Sequence, residues 1–158
     1  MSQTDKRLQQ LGIELPKKDR RGQGVVAVRQ CGDLLFVSGH GPTDQADPAD
    51  TPVYTGKLGA DLTVEQGYQA ARLCGINLLA AVREYLGDLD RVECLVKAFG
   101  LVASSPDFFD QPAVMHGFSD LMMEVLGDRG LHARSAMGTC CLPRNIPVEV
   151  DLVLKIRA

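Results

Sequence analysis

The 158-residue chain has no C-x-x-C pair, no H-E-x-x-H, and no apolar run near the about 20 residues that cross a bilayer. Each absence removes a class of function. The five cysteines (Cys31, Cys74, Cys94, Cys140, Cys141) are odd in number, and no secretory signal stands at the start, so a reduced, cytoplasmic protein without membrane partners is expected. Cys140 and Cys141 are neighbours in a predicted strand, which should send them to opposite faces and prevent a shared clamp on a metal. The three histidines, His40, His116 and His132, are too scattered for ligand spacing, so no metal is expected. An excess of positive charge is lacking too. Seventeen basic against 20 acidic residues leave −3, which disfavours nucleic acid as a partner, because phosphate affinity rests on clustered Lys and Arg. The one basic run, Lys17-Lys-Asp-Arg-Arg21, reads as a solvated linker. Gly22-Gln-Gly24 and Gly39-His-Gly41 open no phosphate-binding helix, and Ser38 sits in no G-x-S-x-G elbow, so no cofactor is expected and no serine-hydrolase elbow is present.

What is present suits one globular domain. Hydrophobic residues make up 45% and charged residues 23%, near the average for such domains, and no internal repeat divides the chain. Leu8 and Leu11, behind a cap at Ser2 or Thr4, predict a helix over Thr4 to Leu11 that ends at Gly12, and Glu14 to Gly24 reads as an exposed connector. Residues 1–24 thus form a preface to a domain over 25–158. Val25 to Gln30 and Leu34 to Gly39, around Gly32-Asp33, predict a hairpin whose second strand is apolar enough to be covered on both faces. His40 to Gly59 is loop chemistry. Thr63 and Gln66 make a capping box for a helix whose apolar stripe runs from Val64 to Leu86 and closes at Gly87.

Arg91 to Ala103 predicts a central strand, and Ser104-Ser-Pro-Asp107 a helix start leading into an amphipathic helix over Phe108 to Leu126, with Pro112 in its first turn or at a kink. Two strands, Ala133 to Cys141 and Val148 to Ile156, finish the order ββ-α-β-α-ββ. Two helices sharing one face of a mixed sheet give a two-layer α+β fold. Arg134 and Glu149 are lone charges near the entrances of the last two strands. An arginine there suits a small carboxylate, because its planar fork donates two parallel hydrogen bonds; a surface salt bridge is the competing reading. Were the two strands a tight hairpin, the charges would stand about 20 Å apart. Either the strands are not paired directly or the charges meet across a subunit boundary.

Leu35-Phe-Val-Ser-Gly39 with Pro42, Asn77-Leu-Leu-Ala80 on the capped helix, the strand Val92 to Val102, Ala133-Arg-Ser, Leu142-Pro143 and Val148-Glu-Val150 together resemble the Rid family, also called YjgF/YER057c/UK114. The likeness runs from about Val25 to the C-terminus, and the Leu8 to Pro16 preface resembles one subgroup. It implies a chorismate-mutase-like α+β fold, a homotrimer with clefts between subunits, and hydrolytic deamination of reactive 2-imino or enamine acids to 2-oxo acids. It also implies catalytic roles for Arg134, which would hold the substrate carboxylate, and Glu149, which would position or activate water. Ser38, Gly39, His40 and Ala136 fall with Arg134 at substrate-binding positions. The pattern is altered in places: Val25 stands where deaminases carry tyrosine, Ala136 where cysteine is frequent, Pro112 near an expected asparagine, and His40 where many relatives carry glutamine. A non-catalytic trimer binding a small carboxylate is the alternative, and an endoribonuclease the third reading.

Overall fold

The computed structural model describes residues 2–17, 21–22 and 24–157. Helix α1 spans Gln3–Gln10. Two short strands, β1 (Arg21–Gly22) and β2 (Val25–Val26), pair as a separate ribbon. The main sheet begins with β3 (Val28–Cys31) and β4 (Leu34–His40), which meet across the turn at Gly32-Asp33. The predicted first strand is therefore split, with Val25 and Val26 turned away to the ribbon. Lys18 to Arg20 of the basic run lie outside the described residues.

Helix α2 (Val64–Leu86) starts where its capping box places it: the Thr63 hydroxyl accepts from the Gln66 amide, and the Gln66 side chain accepts from the Thr63 amide. Strand β5 (Val92–Ala103) follows, then helix α3 (Gln111–Leu126), β6 (Ala133–Thr139) and β7 (Val148–Ile156). Helix α3 starts three residues later than the sequence signature suggests. Ser104 N–H is donated to Thr139 and Ser105 N–H to Leu58, so this segment is held extended against its neighbours, and Pro112 sits in the first turn of the helix.

The five strands lie in the order β3-β4-β7-β5-β6, with β5 and β6 parallel and the other pairs antiparallel. The last two strands are thus not a hairpin. A strand–helix–strand unit through α3 lays β6 parallel on one side of β5, and β7 takes the other side, between β5 and β4. Strand β7 shows why one face is dry: Val148, Val150, Leu152, Leu154 and Ile156 are buried beneath the helices, while Glu149, Asp151, Val153 and Lys155 alternate onto the opposite face. That second face is not covered within the protomer. Phe36 is 47% and Met137 53% exposed there, so β4 is covered on one face only, contrary to its apolar composition. Cys140 and Cys141 correct another expectation: β6 ends at Thr139, and in the bend beyond it the two exposed thiols lie side by side, with Sγ atoms 3.8 Å apart.

Helix α1 is tied to this domain by an acid that caps it from a distance. Asp90 accepts from the Gln3 amide at 2.6 Å, the Thr4 amide at 2.9 Å and the Thr4 hydroxyl, and Arg129 donates to Thr4 Oγ1 at 2.9 Å. Leu8 is buried with the core, and Ile13 and Leu15 pack against it. Burial pushes the Asp90 carboxyl up, but the bonds from Thr4 and Gln3, with the Arg129 cation, outweigh this and hold it below its ordinary value. A depressed carboxyl stabilises the fold fully above its unfolded value of about 3.9 and loses that contribution as pH falls through the folded value. Asp90→Ala is expected to cost about 1 kcal/mol near neutral pH, the scale of a lost N-cap. The deficit, measured by urea unfolding, should shrink as the pH falls below the unfolded value of about 3.9.

Candidate functional site

Arg134 is the second residue of β6 and pairs with Ala98 of β5, a residue buried beneath the helices. Its side chain therefore leaves the helix-covered face at the sheet edge and meets α3. Nη1 donates to Ser119 Oγ at 3.0 Å and Nη2 to the Pro112 carbonyl at 3.3 Å. Pro112, where the resemblance expects an asparagine, thus takes part through its backbone. Among the described residues no carboxylate lies within ion-pair distance of Arg134. Burial pulls its pKa down, and the charge of Asp120 opposes this. Asp120 is itself engaged by the Tyr68 hydroxyl at 2.9 Å. The result is a half-buried cation resting on two neutral oxygens, with donors to spare for an anion.

Ser119, which no sequence pattern singles out, and His132, set aside above as too isolated for a metal ligand, complete this corner. Ser119 Oγ lies 3.0 Å from His132 Nε2, and His132 Nδ1 lies 2.7 Å from the Gly130 carbonyl. The imidazole stands edge-on to Phe118, with centroids 5.6 Å apart. Burial is the main force lowering the His132 pKa; the Gly130 bond raises it and the Arg134 charge lowers it further. The spacing His132-x-Arg134, two apart beside a strand, could have drawn notice to one shared face, but Ser119 comes from a distant helix.

Glu149 is elsewhere. It pairs with Leu101 of β5, three residues beyond Ala98, with one strand between it and β6. From strand spacings the two Cα atoms are roughly 14 Å apart, and the side chains leave opposite faces of the sheet. Of the sequence's two alternatives, the strands are indeed not directly paired. Glu149 leans over Gly39 of β4, where a Cβ would lie 2.9 Å from its Cδ, so only glycine leaves that space free. Burial, then the charge of Asp151 on the same face, pushes the Glu149 carboxyl above its ordinary value. Asp151 is also raised by burial.

The remaining predicted residues divide between these places. Ala136 is on β6 with Arg134, on the same face, and packs against the core. The Ser38 hydroxyl donates to the Val26 carbonyl at 2.8 Å. His40 ends β4 with 1% exposure, its Nδ1 2.7 Å from the Ser38 carbonyl. Val25 is 68% exposed in the ribbon. Among the described residues no cluster of three or more His, Cys, Asp or Glu could hold a metal, and no helix is long and apolar enough to cross a membrane.

Known proteins share this architecture. A family model described as "YjgF/chorismate mutase-like, putative endoribonuclease" matches residues 5–155. Protein TCP17 of Trypanosoma cruzi is 41% identical over 150 residues, covering 94% of this chain and 91% of its own. The solved structure of Atu1372 from Agrobacterium tumefaciens, a protein of unknown function, is 38% identical with a TM-score of 0.88, covering 98% of this chain and 92% of that one. A Shewanella oneidensis structure carrying the endoribonuclease label is 29% identical with a TM-score of 0.90, covering 98% and 100%. With the match running over almost the whole sequence, and the two-layer α+β fold in place beneath it, the chain belongs to the YjgF/chorismate-mutase-like family, the Rid family.

Proposed function

We propose that this protein is a hydrolytic deaminase of small 2-imino and enamine acids, releasing 2-oxo acids and ammonia at clefts of a homotrimer. The observation that carries the reading is the seat around Arg134: a half-buried guanidinium, steadied by Ser119 and Pro112, without a carboxylate partner among the described residues. A substrate carboxylate gains charge-assisted hydrogen bonds there and is held in one orientation, so that water can add to the neighbouring C=N carbon. Glu149, on the opposite face, would orient that water from an adjacent subunit. The open face bearing Phe36 and Met137, with half-buried Phe99 and Leu101, supports such an assembly, because it leaves apolar surface to be covered. Light scattering should then give three times the 17.1 kDa of the chain, and a fully active monomer would remove Glu149 from the mechanism.

The test is direct. 2-Iminopropionate, generated in situ by an amino-acid oxidase, should disappear faster with the protein than in buffer. No acceleration across several imino acids, with 2-oxo acid binding retained, would reject the deaminase and favour a non-catalytic carboxylate-binding trimer. The separation of Arg134 and Glu149 onto opposite faces is the observation on that second side. Nuclease activity, suggested by the family's label, is not supported by a net charge of −3.

A further inference from the structure

The bonds around Ser119 have only one consistent direction. A carbonyl only accepts, so His132 Nδ1 must be the donor to Gly130. In the neutral ring Nε2 is then the acceptor, and the hydrogen between it and Ser119 is the serine's own. The serine oxygen in turn accepts from Arg134 Nη1. One chain results: Arg134 N–H to Ser119 O, Ser119 O–H to His132 Nε2, and His132 Nδ1–H to Gly130 O. The Phe118 edge contact and the Gly130 bond fix the ring plane. Charged groups facing this chain are Arg134 on β6 and Asp120 on α3, the latter hydrogen-bonded to Tyr68 of α2.

From this geometry we infer that Ser119 and His132 form the proton relay for the substrate anchored on Arg134, with Ser119 touching the reacting atoms and His132 acting through it. The inference rests on the deaminase reading above. A carboxylate on the spare donors of Arg134 places its C2 one bond further out, beside the serine hydroxyl that Arg134 already touches. Water adds its oxygen to C2 of the protonated imine, and the C=N π pair moves to nitrogen. One water proton passes to Ser119 Oγ while the Ser119 proton passes to His132 Nε2, giving an imidazolium. The relay then runs in reverse: the amino group takes the proton, the C–N bond breaks with its pair on nitrogen, and ammonia leaves. The hydroxyl oxygen forms C=O, and its proton passes to the departing ammonia, giving ammonium. The balance is iminium plus water to 2-oxo acid plus ammonium, and no other reactant is needed. Burial, and then the Arg134 charge, lower the His132 pKa against the Gly130 bond, which favours the neutral ring that accepts a proton. This places the proton relay within the protomer that holds Arg134, on the face that the same protomer's own Glu149 does not reach.

The test uses His132→Gln and Ser119→Ala in the full chain, each checked for an unchanged melting profile. Losing a general acid–base group costs about 10²–10⁴-fold. Both variants should lose about 10²-fold or more in kcat with KM little changed, and pyruvate binding followed by NMR should persist in His132→Gln. The acidic limb of the kcat/KM profile, set by protonation of His132, should vanish in that variant. Added imidazole should restore part of the activity of His132→Ala. If the wild type hydrolyses imines and His132→Gln matches it in kcat and pH profile, the relay is overturned while the deaminase reading stands. If the wild type hydrolyses none, both fall together. Should His132→Gln prove misfolded, Ser119→Ala decides alone: full kcat overturns the relay, and a kcat loss at constant KM upholds it.

Discussion

Arg134→Ala is expected to lower kcat/KM for 2-imino acids by about 10²–10⁴-fold, from the loss of two charge-assisted hydrogen bonds at about 1.5–3 kcal/mol each, with tenfold per 1.4 kcal/mol. The size follows from the setting. A solvated surface cation is worth about 1 kcal/mol or less to an anion, but this guanidinium is half-buried and has given two donors to neutral oxygens. Arg134→Lys should recover little, since an ammonium is a point charge without the planar fork and cannot reach Ser119 and the ligand in the same geometry. The fold should tolerate both changes, because the side chain lies at the edge strand and not in the core. Steady-state kinetics with imine generated in situ, beside pyruvate titrations, would check this. A variant binding pyruvate as tightly as the wild type would remove Arg134 from the anchor role.

Gly117→Ala should be the most damaging single methyl in the helix layer. Gly117 lies where α3 crosses α2, and a Cβ there would overlap the carbonyl oxygen of Tyr68 and stand 2.8 Å from its carbonyl carbon. Backbone cannot rotate away as a side chain can, so the helices must separate. Overpacking costs about 1–3 kcal/mol and more where the neighbour is rigid. The gain of about 1 kcal/mol from replacing a helical glycine with alanine does not offset that. With the cost at the upper end of that range, a net loss of about 2 kcal/mol corresponds to a fall in Tm of about 4–8 °C for a chain of this size. Gly75→Ala is the matched control. Its methyl would meet side chains and no backbone, Leu121 Cδ2 at 2.7 Å, Met122 Cε at 3.1 Å and the Phe118 ring at 3.2 Å, so its crowding should cost clearly less than at Gly117. Equal melting temperatures for the two variants would contradict this account of the crossing.

Where hydrophobic period and punctuation agree, sequence and structure agree. Helix α2 begins after Thr63 and stops before Gly87 because a reciprocal cap and a glycine at φ 78° act within a few residues of each end. Strands β5 and β7 read clearly from their apolar content. The misreadings are places where a distant partner overrides a local signal. Ser104-Ser-Pro-Asp107 looks like a helix start, yet Leu58 and Thr139 take its backbone hydrogen bonds. Cys140 and Cys141 look like strand residues, yet β6 runs out of partner at Thr139 and the bend turns both thiols to one side. Val25 and Val26 look like the head of the first strand, yet they pair with Arg21 and Gly22.

The sequence by itself determined the family and the α+β layering, and it singled out Arg134 as a candidate anion anchor, because these depend on residue type and short-range period. Only the tertiary structure decided which groups surround that arginine. Placing β5 between β6 and β7 sets Arg134 and Glu149 on opposite faces, since side-chain direction alternates with register and register is a pairing of distant segments. The same packing brings Ser119 and His132, 13 residues apart on a helix and at a strand entrance, within 3.0 Å of each other. No local pattern encodes that approach; it arises when α3 closes over the edge of the sheet and its polar face meets the first turn of chain into β6.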